Sequence, residues 1–296
     1  YEEAIRLQPD YIVAHHNLGL IYHLQEKYGQ AEISYKKAIK IKPNYLPVYN
    51  NLGSILIKQG KIIEAEDCYN QAIKFEKGNP ENYNNLGVAL QKQGKIKEAK
   101  IAYEQALTHN KDYAEAHYNL AFCLQKSDKF DEAIAEYKQS LIIKPDYAIG
   151  IFNYANLKKE INDLDEAIKL YLKVLELRSE VKDIHIFYKL SEIYESLGDF
   201  KKAKEFAEKI IDIEPENIDA HVILSKLIDY KKDSSHLLIM EKIINSKKLS
   251  EVEVMHLSFA VGAVYDSLKD FHTAFKYFKT GNVLKKKIIK YELSNH

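Results

Sequence analysis

The stretch "NLGSILIKQGKIIEAEDCYNQAIKF", residues 51–75, returns as "NLGVALQKQGKIKEAKIAYEQALTH", residues 85–109, one period of 34 residues later. The spacing persists on both sides: "NLG" begins at Asn17, "NLA" at Asn119 and "NYA" at Asn153. Set out in rows of 34, the chain reads 12–45, 46–79, 80–113, 114–147, 148–181 and, after a two-residue insertion, 184–217. Column seven holds Leu18, Leu52, Leu86, Leu120, Tyr154 and Leu190, and column eight Gly19, Gly53, Gly87, Ala121, Ala155 and Ser191. Column twenty is Ala31, Ala65, Ala99, Ala133, Ala167 and Ala203; four residues on come Tyr35, Tyr69, Tyr103, Tyr137, Tyr171 and Ala207. Column eleven is apolar except at Lys158. Small residues at columns eight and twenty mark where two helices must approach closely.

Each row carries two apolar stripes of helical spacing separated by a turn signal, as in "KQGK" at 58–61 and 92–95. That pattern predicts a helix hairpin. Proline stands where the second helix must stop, at Pro43, Pro145 and Pro215. Helices of about 13 residues span ~20 Å and are marginal alone in water. Their stability must come from stacking each apolar stripe against its neighbours.

These columns resemble the tetratricopeptide repeat, whose 34-residue pattern joins a large residue, Leu-Gly, an aromatic, Ala, an aromatic, Ala and Pro. The resemblance implies an all-α fold, an α-solenoid of stacked helix hairpins wound as a right-handed superhelix. It sets out residues 1–296 as a single solenoid. Residues 1–11 are the second helix of a truncated repeat, with Tyr1, Ala4 and Pro9 in register; 12–217 are six regular repeats. Residues 218–254 are a degenerate repeat, in which Leu237 stands where Ala belongs and "DYKKDSSH" replaces the turn. Residues 255–296 are a final repeat and helix end, with Gly262, Tyr265, Ala274 and Phe278 back in their columns.

Composition narrows the function. Lys plus Arg and Asp plus Glu number 43 each, so no net field favours nucleic acid or an anionic membrane surface. The apolar runs are too short for a membrane span, and "YEEAIRLQPD" is no signal sequence. Cys68 and Cys123 are far apart and in no zinc or redox spacing, which fits a cytoplasmic protein. Three of the 11 histidines, His15, His117 and His221, share column four, where packing with one nitrogen satisfied is expected rather than a ligand role. No H-E-x-x-H, phosphate-loop, dinucleotide or nucleophile-elbow motif occurs. The expectation is a chain with no catalytic site, metal or cofactor of its own.

In the family the first helices line the concave wall, with columns two, five, six, nine and twelve facing the groove. Column six would then stack Asn17, Asn51, Asn85, Asn119 and Asn153 into a ladder. An amide pairs a donor with an acceptor, matching a peptide backbone while reading no side chain. The arrangement resembles the repeat region of the O-linked N-acetylglucosamine transferases, where an asparagine ladder holds protein substrates. Asn50 and Asn84 add amides to the same wall, and His16, Tyr118, Phe122 and Phe152 supply shape and stacking. Lys58, Lys92 and Lys126 share column thirteen, where a lysine serves a helix C-terminus and could also attract an acidic segment. The lysine and arginine of the family's chaperone-tail clamp are missing, since column two is Val13, Pro47, Glu81, Glu115 and Ile149.

The last row, "FAVGAVYDSLKDFHTAFKYFKTGNVLKKK" at 259–287, is similar to the closing repeat ahead of the sulfotransferase domain in a group of bacterial proteins. Gly281 and Asn282 there replace the usual Ala-Leu. The sequence therefore predicts a protein–protein interaction scaffold that binds an extended peptide or partner protein in its groove, as the recognition arm of a longer protein. The alternative is the repeat region of a sulfotransferase or an O-GlcNAc-type glycosyltransferase whose catalytic domain follows His296.

Overall fold

The computed structural model describes residues 1–177, 183–246 and 249–294, which form seventeen α-helices and no strand. They divide into two compact units, Tyr1–Asp163 and Leu164–His296. The first holds α1 (Glu2–Leu7), α2 (Ile12–Leu24), α3 (Tyr28–Ile41), α4 (Pro47–Lys58), α5 (Ile62–Phe75), α6 (Pro80–Lys92), α7 (Ile96–His109), α8 (Ala114–Gln125), α9 (Phe130–Ile143) and α10 (Ala148–Glu160). The second holds α11 (Leu164–Leu177), α12 (Ile184–Ser196), α13 (Phe200–Ile213), α14 (Ile218–Leu227), α15 (Ser235–Ile244), α16 (Glu251–Ser267) and α17 (Phe271–Ser294).

Within the first unit α2 pairs with α3, α4 with α5, α6 with α7 and α8 with α9. Each second helix also packs on the first helix of the following hairpin, and successive first helices touch from α2 through α10. This is the α-solenoid arrangement: a row of first helices backed by a row of second helices. The second unit repeats it through α12–α13, α14–α15 and α16–α17, with α16 resting on both α14 and α15.

The columns explain the packing. All six alanines of column twenty are fully buried. A Cβ at Gly19 or Gly53 would lie 2.5 Å from a ring carbon of Tyr35 or Tyr69, and Gly87 would meet Tyr103 in the same way. Column eight is thus small because the column twenty-four ring of the same hairpin lies against the helix backbone. In the last hairpin Gly262 bears the same relation to Phe278. Gly281, which the repeat pattern leaves unexplained, is accounted for by packing: its Cβ would sit 3.0 Å from the Phe259 ring.

The hairpin turn requires a left-handed residue at column fifteen. Gly60, Gly94 and Gly198 sit there with φ of 77–78°, and Glu26, Asp128, Asn162 and Lys269 adopt the same region without being glycine. Before Pro43, Pro145 and Pro215 the backbone of Lys42, Lys144 and Glu214 has left the helix, with φ of −126 to −140° and ψ of 85–95°, away from the α region that a following proline disfavours. Lys158, the break in apolar column eleven, keeps its stem against the core and its ammonium 2.7 Å from Asp163 and over the Tyr154 ring.

The degenerate row has shortened helices, α14 and α15 of 10 residues each, and Leu237 is buried among Tyr230, Met240 and Leu257. The final first helix starts at Glu251, four residues ahead of the row, because Ser250 and Glu253 form a reciprocal capping box. No helix among the described residues is long and apolar enough to cross a membrane.

Candidate functional site

The five column-six asparagines lie on α2, α4, α6, α8 and α10, all in the first unit and all half-buried. Their environments differ. Asn51 donates to His16 Nε2 (3.0 Å) and to the Pro47 carbonyl (3.0 Å). Asn119 donates to Asn84 Oδ1 (2.9 Å), and Asn153 to the Tyr118 hydroxyl oxygen (2.8 Å) and the Ile149 carbonyl (3.2 Å). The bonds to His16, Asn84 and Tyr118 each run from column six back to column five of the preceding repeat, 35 residues away. Asn17 and Asn85 make no side-chain hydrogen bond to the protein among the described residues.

The ladder is therefore a set of inter-repeat ties as well as a polar surface. Asn51 and Asn153 each make two bonds through the amide nitrogen and Asn119 makes one, while their carbonyl oxygens remain available as acceptors. The pattern breaks in the middle: Asn50 donates to Asn82 Oδ1 (2.9 Å), and its own buried Oδ1 has no partner. Row alignment places column-six residues above one another but does not reveal this backward lean. A recurring polar pair at columns five and six is the signal that could have found it.

The remaining predicted residues separate into two groups. His16 is half-buried between the Tyr35 and Tyr45 rings. Accepting from Asn51 at Nε2 leaves its proton on Nδ1, 3.4 Å from the Tyr45 hydroxyl, and burial holds its pKa below the usual histidine value. Tyr118 meets Tyr147 edge-on at 5.4 Å, and Phe122 and Phe152 are half-buried on the same helices. Of these, His16 and Tyr118 touch the column-six amides directly, through Asn51 and Asn153. Lys58, Lys92 and Lys126 are exposed at the C-terminal ends of the helices; Lys126 lies 5.5 Å from the Phe122 ring centroid, so it alone joins the aromatic part of the wall.

Column four proves to be structural. His15, Tyr49, His117 and His221 each donate to the carbonyl six residues back, at Pro9, Pro43, Lys111 and Pro215 (2.8, 2.5, 2.9 and 2.9 Å). At these four positions the side chain fastens its first helix to the turn that precedes it. On the second-helix side, Tyr103 and Tyr137 donate to the column-twelve amides of Gln91 and Gln125 (2.9 and 3.2 Å). Glu32 accepts from Lys36 and from Lys61 of the next repeat, and Glu66 from Lys95. No group of three or more His, Cys, Asp or Glu side chains among the described residues is arranged to hold a metal ion.

Family models described as tetratricopeptide repeat match residues 12–45, 34–67, 90–161, 150–180 and 184–217, and one described as TPR repeat matches 53–94. The chain belongs to the tetratricopeptide repeat family. Part of this repeat protein is 25% identical, over 130 residues, to an uncharacterized protein of Aquifex aeolicus strain VF5; the match takes in 42% of this chain and 17% of that relative. Among solved structures it is similar to PilW, a type IV pilus biogenesis factor (TM-score 0.66, 22% identity, 72% of this chain and 98% of that one). PilF of Pseudomonas aeruginosa superposes with a TM-score of 0.62 at 18% identity, over 73% of this chain and 97% of that one. The Cut9–Hcn1 hetero-tetramer gives 0.65 at 17%, over 77% and 45%. At these identities the likeness is one of fold.

Proposed function

We propose that this tetratricopeptide repeat protein is a non-catalytic scaffold that binds an extended segment of a partner protein along the first helices of its first unit. The observation that supports this most is the column-six row: five successive first helices carry a half-buried amide, and two of these amides, Asn17 and Asn85, make no side-chain hydrogen bond among the described residues. An apolar residue would serve stacking equally well at those two positions. The free carbonyl oxygens of Asn51, Asn119 and Asn153 match backbone N–H groups of an extended chain, and Asn17 and Asn85 offer both a donor and an acceptor. Recognition of this kind grips main chain and selects side chains weakly, through Phe122 and Tyr118. Lys58 and Lys92, exposed at one edge, favour an acidic flank.

A phage-displayed library of unstructured peptides, selected on the chain, tests the reading. Selected peptides are expected to bind Asn17→Ala/Asn85→Ala at least tenfold more weakly, with the melting temperature within about 2 °C of the parent. Peptides that bind parent and variant alike would place recognition elsewhere.

The narrower reading, the repeat region of a transferase, is supported by the resemblance of residues 259–287 to the repeat that precedes bacterial sulfotransferase domains. Gly281 now has a packing role against Phe259, which weakens one strand of that support. The coding sequence beyond His296 decides it, by a phosphosulfate loop or a sugar-nucleotide domain.

A further inference from the structure

The degenerate hairpin contains a polar assembly that none of the regular repeats shows among the described residues. His221 on α14 makes the column-four bond to the Pro215 carbonyl through Nε2 (2.9 Å), and its Nδ1 lies 2.9 Å from Nε2 of His236 on α15. His236 Nδ1 in turn lies 2.5 Å from the Tyr230 hydroxyl in the connecting turn. The two imidazoles stack with centroids 5.1 Å apart. His221, His236 and Tyr230 are 1, 8 and 6% exposed.

One end of this chain sets every proton in it. A carbonyl only accepts, so His221 carries its hydrogen on Nε2 and presents a lone pair at Nδ1. His236 must donate to that lone pair from Nε2, which leaves its own Nδ1 to accept from the Tyr230 hydroxyl. In the neutral state each ring nitrogen has a partner of the right kind, and no lone pair is vacant for another proton. Taking one up at His236 Nδ1 makes that ring a buried imidazolium and forces the Tyr230 hydroxyl to turn from donor to acceptor, losing the acceptor for its own hydrogen. A second proton would put two cations in stacked rings.

We propose that this Tyr230–His236–His221 relay is an acid-sensitive latch, which holds the α14–α15 hairpin closed at neutral pH and releases it, together with the contacts of α16 on that hairpin, when protonated. The surroundings favour that behaviour. Lys204, Glu208 and Asp212 of α13 and Asp229, Lys232 and Asp233 of the turn border the two histidines on the open side, in a cleft of about 710 Å³. The α16 side chains that enter the shared core are apolar, Leu257, Ala260, Val261 and Val264; its Glu253 and His256 border Pro215. Burial depresses both histidines, His236 to about 4, where His221 and Lys204 oppose protonation and Asp233 only partly offsets them.

The sign follows from linkage. The unfolded histidine, with a pKa near 6.5, binds more protons than the folded one, so stability is lost as pH falls from about 6.5 toward 4. His236 alone should lower the closing equilibrium roughly thirtyfold between pH 8 and pH 5. His117 works in the opposite direction: burial alone would lower its pKa, but Glu136 at 2.6 Å and the Lys111 carbonyl raise it. Whole-chain unfolding therefore mixes the two, and the readout must be local.

Amide hydrogen exchange of the full chain at pH 7.5, 6.0 and 5.0, corrected for intrinsic rates, supplies it. Protection over residues 218–244 is expected to fall by tenfold or more between pH 7.5 and 5.0 while residues 46–109 change little. Nitrogen-15 spectra of the imidazoles should show His221 and His236 both neutral and protonated on Nε2 at pH 7.5. Tyr230→Phe removes the hydroxyl that a proton on Nδ1 must displace, so the midpoint of opening should move to higher pH. Unchanged protection over 218–244 at pH 5.0, or His236 titrating near 6.5 with protection intact, overturns the proposal.

Discussion

Asn51 and Asn85 fill the same column with the same side chain, yet only Asn51 is tied to its neighbour, through His16. Asn119 shows what such a tie is worth: it supplies a hydrogen to the Oδ1 of buried Asn84. Asn119→Ala leaves that acceptor without its donor and should cost about 1–3 kcal/mol by urea unfolding. Asn85→Ala removes no bond and should stay within about 0.5 kcal/mol of the parent. Column arithmetic made these residues look equivalent. Their difference arises from the partner, which belongs to another repeat and another column. The histidines divide in the same way. Column four announced His15, His117 and His221 as packed side chains with one nitrogen engaged, and each makes that bond. The second partner of His221 lies 15 residues on, in a row whose periodicity has decayed, so no pattern pointed to His236.

At the level of the helix and its turn, the glycine signal in "KQGK" is a requirement for positive φ, and the structure shows it applying in repeats that lack glycine. Gly60 and Gly94 have open space where a Cβ would go, so any penalty for a side chain there is purely conformational. Glu26 and Lys269 pay it, at φ of 57° and 65°. Glu26→Gly is expected to raise stability by about 0.5–1 kcal/mol, the left-handed strain relieved less the added chain entropy. Gly94→Ala should lower it by about 1 kcal/mol, and paired denaturation curves check both. Gly53→Ala is a different case with the same residue type: its Cβ would strike the Tyr69 ring, and overpacking of this kind costs about 1–3 kcal/mol. Helix ends were legible from proline and caps. The early start of α16 was not, because the Ser250–Glu253 box competes with the repeat register and prevails locally.

At the scale of the whole molecule, each hairpin within a unit contacts its immediate neighbours there, so stability within a unit is close to a sum over repeats and their interfaces. Removing residues 80–113 joins Asn79 to Ala114 and lets α5 meet α8 through the same columns that now meet α6. That deletion should keep the helicity per residue by far-UV circular dichroism and lower the melting temperature modestly. Removing residues 80–93 alone deletes α6 and leaves Ala99, Tyr103 and Ala106, all fully buried, without their partner helix. It should lose helicity and aggregate. What the sequence by itself determined is the repeating unit: two amphipathic helices, their turn, their stop and the small and aromatic columns that join them, because these depend on short-range geometry copied every 34 residues. Only the tertiary structure decided which polar side chains tie repeats together, which make no such tie, and how His221, His236 and Tyr230 share their protons. Those choices depend on atoms brought together from different rows, and a hydrogen bond is set by a few tenths of an ångström that no column records.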